Sequence, residues 1–241
     1  MYKKNRVTAV ILAAGNGSRM GTRENKVYTR IGTHLGGCPM IQYALTTFDR
    51  HPYVDELVLT ARSEEVEKME GILKAISLSK PCRIVIGGKT RQASVRNAVA
   101  VVKTPLVIVH DGARPLIQSR YISDCLEALD HYHGAILALP VKEPICRISA
   151  RRKPPQVLQE PVYAVQTPQC FRTNILRACH QKHETSPAIT DDSCLLELEG
   201  YSVGVVEGDP CNIKVTTPLD LPVAEAYRAI LEAQQKPASA G

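Results

Sequence analysis

Short apolar runs alternate with longer stretches of helical spacing along almost the whole chain. The predicted strands are Val7–Leu12, Glu56–Ala61, Arg83–Ile86, Leu106–His110, Ala135–Leu139 and Ser202–Val206. Several of them are apolar throughout, which is typical of strands in a parallel sheet covered on both faces. The predicted helices are Met40–Asp49, Glu64–Ile76, Arg91–Val101, Ser119–His131, Thr173–Lys182, Asp191–Glu199 and Pro218–Gln234. The alternation predicts an α/β fold with a mostly parallel, twisted sheet and helices on both faces.

One segment departs from this alternation. Residues 140–163 contain five prolines and three consecutive basic residues, and they fit neither a core strand nor a helix. A projecting arm or hairpin that contacts another subunit and a plain surface loop both agree with this composition. We expect a single domain over residues 1–234, with 140–163 as its arm and 235–241 as a disordered tail. The last helix is predicted to have Thr217 as its N-cap and Pro218 as its first residue.

Composition narrows the classes of partner. The net charge is +6, but the basic residues are scattered, which favours small phosphorylated ligands over nucleic acid. The apolar run near the N-terminus is too short for a membrane span or a secretion signal. The eight cysteines are irregularly spaced, so we expect free thiols in a reducing cytoplasm rather than a zinc site.

The first predicted strand leads into a glycine-rich loop, Leu12 to Met20. Gly15 and Gly17 allow the backbone to approach a ligand closely, so that successive N–H groups can face phosphate oxygens. Arg19 and Lys26 add two positive charges nearby. The loop lacks the Gly-Lys-Ser/Thr ending of a Walker motif and the third glycine of a dinucleotide fingerprint. It therefore indicates a phosphate-binding turn of another kind, although an ordinary glycine-rich turn has the same residues.

Two further loops follow predicted strands, at the edge where parallel sheets bind ligands. Gly87 and Gly88 lead into a helix with Ser94 on its first turns, which suits a base edge or a phosphate but also a simple turn. Asp111 ends another strand and is suited to Mg²⁺, which takes one or two carboxylate oxygens. Arg114 could form a structural ion pair or reach a ligand phosphate. Further polar segments containing Thr167, Thr190 and Lys214 follow later elements.

These segments, taken in order, resemble the 2-C-methyl-D-erythritol 4-phosphate cytidylyltransferases of the non-mevalonate isoprenoid pathway. The resemblance rests on Leu12-Ala-Ala-Gly-x-Gly-x-Arg-Met, Lys26, Gly87-Gly-x-x-Arg-x-x-Ser-Val, His110-Asp-x-Ala-Arg-Pro, Thr167-Pro-Gln, Ile189-Thr-Asp and Glu207-Gly-x-x-x-Asn-Ile-Lys-Val-Thr. It implies a three-layer, Rossmann-like nucleotidyltransferase fold, a homodimer with exchanged arms, and the substrates CTP and a sugar-alcohol phosphate.

The resemblance also implies roles for individual residues. The CTP site would be lined by Ala13, Ala14, Gly15, Gly17, Gly88, Ser94, Asp111 and Ala113. Arg19, Lys26 and Lys214 would surround the reacting phosphates as the catalytic cations, and Asp111 would hold Mg²⁺. Arg114, Thr167 and Thr190 would lie near the sugar phosphate.

Three positions depart from the family pattern. Gln159 stands where an arginine is usual, Pro144 where a threonine is usual, and Lys89 where an acidic residue is common. Arg151 or Arg152 could replace the missing positive charge. The departures leave open a ribitol-5-phosphate cytidylyltransferase, which would share the fold and loops. A non-catalytic nucleotide sensor on the same scaffold is a further alternative, but the intact Arg19, Lys26, Asp111 and Lys214 argue against it. A nicotinamide-dependent oxidoreductase is disfavoured because the third glycine is missing.

Overall fold

Seven strands form the central sheet of the computed structural model, which describes residues 1–15, 25–32, 37–148, 156–184 and 191–235. The strands are β1 (Val7–Leu12), β4 (Glu56–Ala61), β5 (Cys82–Ile86), β6 (Leu106–Asp111), β7 (Gly134–Pro140), β10 (Tyr163–Arg172) and β11 (Val203–Glu207). Their order across the sheet is β11-β7-β10-β6-β1-β4-β5. Within this sheet only β10 is antiparallel to its neighbours, β6 and β7.

Helices cover both faces of the sheet. They are α1 (Met40–Arg50), α2 (Val66–Ile76), α3 (Arg91–Val101), α4 (Ser119–Ala128), α5 (Thr173–Lys182), α6 (Asp192–Leu198) and α7 (Asp220–Gln235). Single 3-10 turns lie at Lys26–Tyr28 and Ser63–Glu65. Two short antiparallel pairs complete the described structure, β2 (Arg30–Ile31) with β3 (Cys38–Pro39) and β8 (Cys146–Arg147) with β9 (Gln156–Val157).

Two hydrophobic cores, one on each face, define the three layers. The first contains residues of α1, α2 and α4 and includes the fully buried Phe48. The second contains residues of α3, α5 and α6 and includes Phe171. Strand β1 contributes to both, with Ala9 and Ile11 in the first core and Val10 in the second, because successive side chains of a strand point to opposite faces. The predicted fold class is confirmed.

Strand β10 was not predicted, and it forms the one antiparallel element in the sheet. Pro168 and the polar residues Gln166 and Gln169 interrupt its sequence, so it lacks the apolar run that identifies the other strands. Its pairing with β7 shifts register between Gln166 and Gln169, which accommodates the proline. The sheet is therefore mostly but not wholly parallel.

The predicted arm is described at both of its ends. β7 and β10 pair as far as Pro140 with Tyr163, and beyond them β8 and β9 form a two-stranded antiparallel ladder. This agrees with a hairpin rather than a plain loop. Residues 149–155, which include Arg151 and Arg152, lie outside the described residues. Subunit contact through the arm remains a prediction.

Helix α7 begins two residues later than predicted. Its first residue is Asp220, and Pro218 lies in the preceding turn, while Thr217 as the N-cap stays a prediction. The Asp220 carboxylate accepts hydrogen bonds from the backbone N–H groups of Thr216 (2.7 Å) and Thr217 (2.8 Å), which folds the chain into a turn before the helix. The helix also includes Gln235, the first residue of the predicted tail; residues 236–241 lie outside the described ranges.

Among the described helices, none combines the length and the apolar character that a membrane span requires.

Candidate active site

A cleft of about 310 Å³ opens at the carboxyl ends of β1 and β6. Eight of the predicted site residues line it: Ala14, Gly15, Lys26, Gly88, Ser94, Asp111, Ala113 and Lys214. Ala13 is buried just behind the cleft, where its N–H donates to the Thr60 carbonyl and hydroxyl oxygens. Gly17, Arg19 and Thr190 fall outside the described residues.

Asp111 carries a negative charge at the floor of the cleft. Its Oδ1 accepts a hydrogen bond from Arg91 Nε (3.2 Å) and its Oδ2 from Lys214 Nζ (2.5 Å). Burial alone would raise the pKa of this carboxyl, but the positive charges of Arg91 and Lys214 outweigh burial and hold the pKa well below its usual range. Asp111 is therefore ionised at neutral pH, as a carboxylate that binds a cation must be.

Arg91 links this carboxylate to a second buried one. Its Nη1 donates to Asp192 Oδ2 (2.6 Å), and Asp192 Oδ1 contacts His180 Nε2 (3.0 Å). Burial would lower the pKa of Arg91, but the carboxylates of Asp192 and Asp111 raise it above its ordinary value. Arg91 is part of the sequence motif Gly87-Gly-x-x-Arg, but no role was predicted for it. The motif does not show which carboxylates lie opposite this arginine.

The second glycine loop is closed by side chains of the helix that follows it. Thr90 is the N-cap of α3 and accepts a hydrogen bond from the N–H of Ala93 (3.0 Å). Ser94 Oγ accepts from the N–H of Gly88 (3.0 Å) and donates to the carbonyl of Thr90 (3.0 Å). A Cβ at Gly87 would lie 2.2 Å from Ala14 Cβ, so the first and second loops pack in direct contact.

Lys26 reaches the cleft from the 3-10 turn that it begins. Asn25, the N-cap of this turn, donates through Nδ2 to the carbonyl of Ala13 (2.5 Å) and to Glu65 Oε2 (3.0 Å). Asn25 is almost fully buried, and it ties the lysine to the end of β1. An asparagine directly before Lys-Val-Tyr is the sequence signal for this cap, and our sequence analysis missed it.

A chain of hydrogen bonds beneath the cleft fixes the turn that carries Asp111. His110 is fully buried, and burial lowers its pKa to about 4, so the ring is neutral at neutral pH. Its Nε2 lies 3.0 Å from the Arg114 carbonyl, which can only accept, so Nε2 carries the proton. Nδ1 then accepts from the Thr167 hydroxyl (3.1 Å), whose oxygen accepts from the N–H of Asp111 (3.1 Å).

This arrangement gives Thr167 and Arg114 structural contacts within the chain. The only hydroxyl proton of Thr167 is used by His110, so toward a ligand it could offer a lone pair but no proton. Arg114 is buried and donates through Nη1 to the Asn212 carbonyl (2.7 Å), and burial lowers its pKa. Neither residue lines the cleft. Their predicted contact with the sugar phosphate remains a prediction.

The site combines a mostly parallel α/β sheet, two glycine loops in contact, a buried ionised carboxylate and a pair of cations. Such a site suits a phosphorylated nucleotide and is of the kind used by nucleotidyltransferases. Comparison with known proteins makes this specific. The family model for 2-C-methyl-D-erythritol 4-phosphate cytidylyltransferase matches residues 7–230. The chain belongs to this family.

Individual relatives agree with the family match. The chain is 38% identical to the 2-C-methyl-D-erythritol 4-phosphate cytidylyltransferase of Halalkalibacterium halodurans over 224 residues, covering 92% of this chain and 96% of the relative. The enzyme of the same name from Clostridium tetani is also 38% identical, over 230 residues, covering 94% and 92%. A solved 4-diphosphocytidyl-2C-methyl-D-erythritol synthase from Anaerococcus prevotii superposes with a TM-score of 0.81 at 29% identity, covering 93% and 96%.

The hydrogen-bond chain through Thr167 predicts different effects for two substitutions. Thr167→Val leaves His110 Nδ1 and the N–H of Asp111 buried without partners, which costs about 2 to 6 kcal/mol of unfolding free energy at about 1 to 3 kcal/mol per group. Thr167→Ser keeps both bonds and loses one methyl group, at about 1 kcal/mol. Denaturant unfolding of the two variants measures the difference. A valine variant as stable as the wild type would contradict the hydrogen-bond chain.

Proposed function

We propose that this protein transfers the cytidylyl group of CTP to 2-C-methyl-D-erythritol 4-phosphate and releases pyrophosphate. The observation that carries the proposal is the group of Lys26, Lys214 and ionised Asp111 in one cleft beside two glycine loops. Family membership across residues 7–230 supports the same activity.

In the proposed reaction, a phosphate oxygen of the acceptor attacks the α-phosphorus of CTP. A new P–O bond forms as the bond from the α-phosphorus to the bridging oxygen breaks, and pyrophosphate leaves with the electron pair. The attacking phosphate is already ionised near neutral pH, so no general base is required. What the protein must supply is alignment of two anions and neutralisation of the charge that develops on the transferring group.

Lys26 and Lys214 supply this neutralisation from the lining of the cleft, together with Arg19 in the proposed set. Lys214 is held at Asp111, while Lys26 is fixed to the end of β1 through Asn25. The CTP site would be lined by Ala13, Ala14, Gly15, Gly17, Gly88, Ser94, Asp111 and Ala113. Arg114, Thr167 and Thr190 are proposed for the acceptor, with Thr167 limited to accepting a hydrogen bond from an acceptor hydroxyl.

The donor set fits a magnesium ion that takes most of its ligands from substrate. Among the described residues there is no group of three or more His, Cys, Asp or Glu side chains that could hold a metal by itself. Mg²⁺ is commonly bound through one or two carboxylates, with phosphate oxygens and water completing its coordination, and ionised Asp111 is suited to that role. When bound, the ion would draw negative charge from the triphosphate.

A ribitol-phosphate acceptor is the second candidate, favoured by the two departures in the arm. Gln159 and Pro144 are both exposed, so the arm presents neither a positive charge nor a hydroxyl at these positions.

The deciding experiment gives the protein CTP and Mg²⁺ with each acceptor separately and measures pyrophosphate. Release with 2-C-methyl-D-erythritol 4-phosphate alone supports the first proposal, and release with ribitol 5-phosphate alone replaces it. A protein that binds CTP but releases pyrophosphate with neither would be a nucleotide sensor.

A cytoplasmic location is also proposed. It is supported by the eight cysteines, all of which are free thiols in the structure.

Removing either lysine tests the charge-stabilisation mechanism. Lys26→Ala and Lys214→Ala should each lower kcat by on the order of 10² to 10³, because each removes a positive charge from the transition state. Lys103→Ala is the matched control, since Lys103 is exposed at the opposite end of β6. Steady-state pyrophosphate release measures the effect, with thermal unfolding as a check on folding. Near-normal turnover by either cleft variant would contradict the assignment.

Replacing Asp111 tests the metal role. Asp111→Asn should abolish the dependence of activity on Mg²⁺ concentration, because an uncharged amide binds the ion poorly. Asp192→Asn is the control: it breaks the other ion pair of Arg91 but leaves the Asp111 carboxylate in place. Magnesium titration of the residual activity distinguishes the two. An unchanged magnesium response in Asp111→Asn would refute the role.

We also propose that the protein is a homodimer joined through the arm. Ile148 is 69% exposed and Val157 is 50% exposed beside the short β8–β9 ladder, and two strands alone are marginally stable in water. A second subunit that covers these side chains would stabilise the arm. Sedimentation should give a dimer for the wild type and a monomer for Ile148→Asp/Val157→Asp. A wild-type monomer would rule out the dimer.

A further inference from the structure

The loop between β11 and α7 carries Lys214. The buried side chain of Gln166, a residue of β10, forms hydrogen bonds with this loop. Gln166 is 5% exposed and does not line the cleft. Its Nε2 donates to the carbonyls of Asp209 (3.0 Å) and Asn212 (3.4 Å). Its Oε1 accepts from the N–H of Asp209 (3.3 Å) and from Asn212 Nδ2 (3.3 Å). Both ends of the amide are therefore used, and both bind the same two residues.

These contacts require an amide at this position. A carboxylate of the same shape could accept the two hydrogen bonds at Oε1, but it would place a negative oxygen against two carbonyl oxygens. Gly208 packs directly against the amide, because a Cβ at this position would lie 2.5 Å from Gln166 Oε1. Asn212 continues the connection, since its Nδ2 donates to the carbonyl of Thr167 (2.9 Å).

Lys214 follows Asn212 by two residues, and its Nζ donates to Asp111 Oδ2 (2.5 Å). The next residue, Val215, donates its N–H to the Ala113 carbonyl (2.9 Å) and is fully buried. Along the chain, Lys214 thus lies between two fixed points of the loop. One is the backbone hydrogen bond of Val215, and the other is the set of hydrogen bonds from the Gln166 amide to Asp209 and Asn212. We propose that Gln166 is a positioning residue that holds Lys214 in its catalytic place, an inference that rests on the proposed role of Lys214 in cytidylyl transfer.

The central test is Gln166→Glu. We expect kcat to fall about 10- to 100-fold with little change in KM for CTP, because a displacement of about 1 Å in a positioned group can cost 10²-fold. In a Lys214→Ala background the same substitution should cost less than about 2-fold, since Gln166 acts through Lys214. An equal loss in both backgrounds overturns the proposal. So does an unchanged kcat in the single variant.

The control for this variant is Gln118→Ala. Gln118 Nε2 donates to the side chain of the same Asp209 (3.1 Å), where Tyr121 and Arg120 also bind, so the loop keeps its other contacts. We expect its kcat to remain within about 2-fold of the wild type, the range of a lost peripheral contact. A drop as large as that of Gln166→Glu would mean that any contact with the loop suffices, which overturns a specific role for Gln166.

Gly208→Ala is a second variant that disturbs the amide without replacing it. The new Cβ displaces Gln166 Oε1, so this variant should reproduce the kcat loss of Gln166→Glu. Gly71→Ala is its matched control, because a Cβ at Gly71 meets no atom within 4 Å. Wild-type turnover by a folded Gly208→Ala variant counts against the proposal.

A readout independent of turnover separates this inference from the proposed function. Lys214 acetylation by an N-hydroxysuccinimide ester can be followed by peptide mass spectrometry, with exposed Lys103 as the internal reference. Gln166→Glu should raise the Lys214 rate at least about 5-fold, because the ion pair with Asp111 is loosened. An unchanged rate overturns the proposal even if the wild type proves inactive. Inactivity of the wild type with both acceptors would instead refute the proposed function.

Discussion

The negative charge of Asp111, held between Arg91 and Lys214, is the interaction on which the arrangement of the site depends. A buried carboxylate is costly unless cations and hydrogen bonds compensate it, so the two basic side chains must arrive from their own elements. Arg91 comes from the first residue of α3, and Lys214 comes from the loop after β11. Three segments distant in sequence therefore meet at one carboxyl group. A substrate triphosphate would add negative charge to a group of cations that is already in place.

The antiparallel strand β10 supports two of the segments whose residues line the cleft. Thr167 accepts a hydrogen bond from the backbone of Asp111, and the adjacent Gln166 binds the loop that carries Lys214. The parallel strands β1 and β6 deliver their loops to the cleft, as is usual for α/β sheets, whereas no residue of β10 is among those that line it. The positions of anion and cation are thus set by neighbouring residues of one strand.

Regular periodicity made most of the fold predictable. β1, β4, α3 and α5 begin and end at the predicted residues, and the family resemblance is confirmed by the comparisons. β10 escaped prediction because Pro168 and two glutamines remove the apolar pattern. In the site, eight of the residues that the motifs indicated line the cleft, Gly88 and Asp111 among them, and their roles there remain predictions. It could not show that the polar groups of Thr167 and Arg114 contact the chain itself, because sequence order does not fix the direction in which a side chain points.

The contact between the two glycine loops has a consequence for how this sequence can change. A Cβ at Gly87 would overlap that of Ala14, although the two residues belong to loops 73 positions apart in the chain. An alanine at position 87 requires that position 14 first become glycine, and its Cβ must also fit beside Ser94 Oγ at 3.0 Å, so the two positions can change only together and in one order. Libraries that vary one loop at a time would lose such paired solutions, and only combinatorial libraries would retain them.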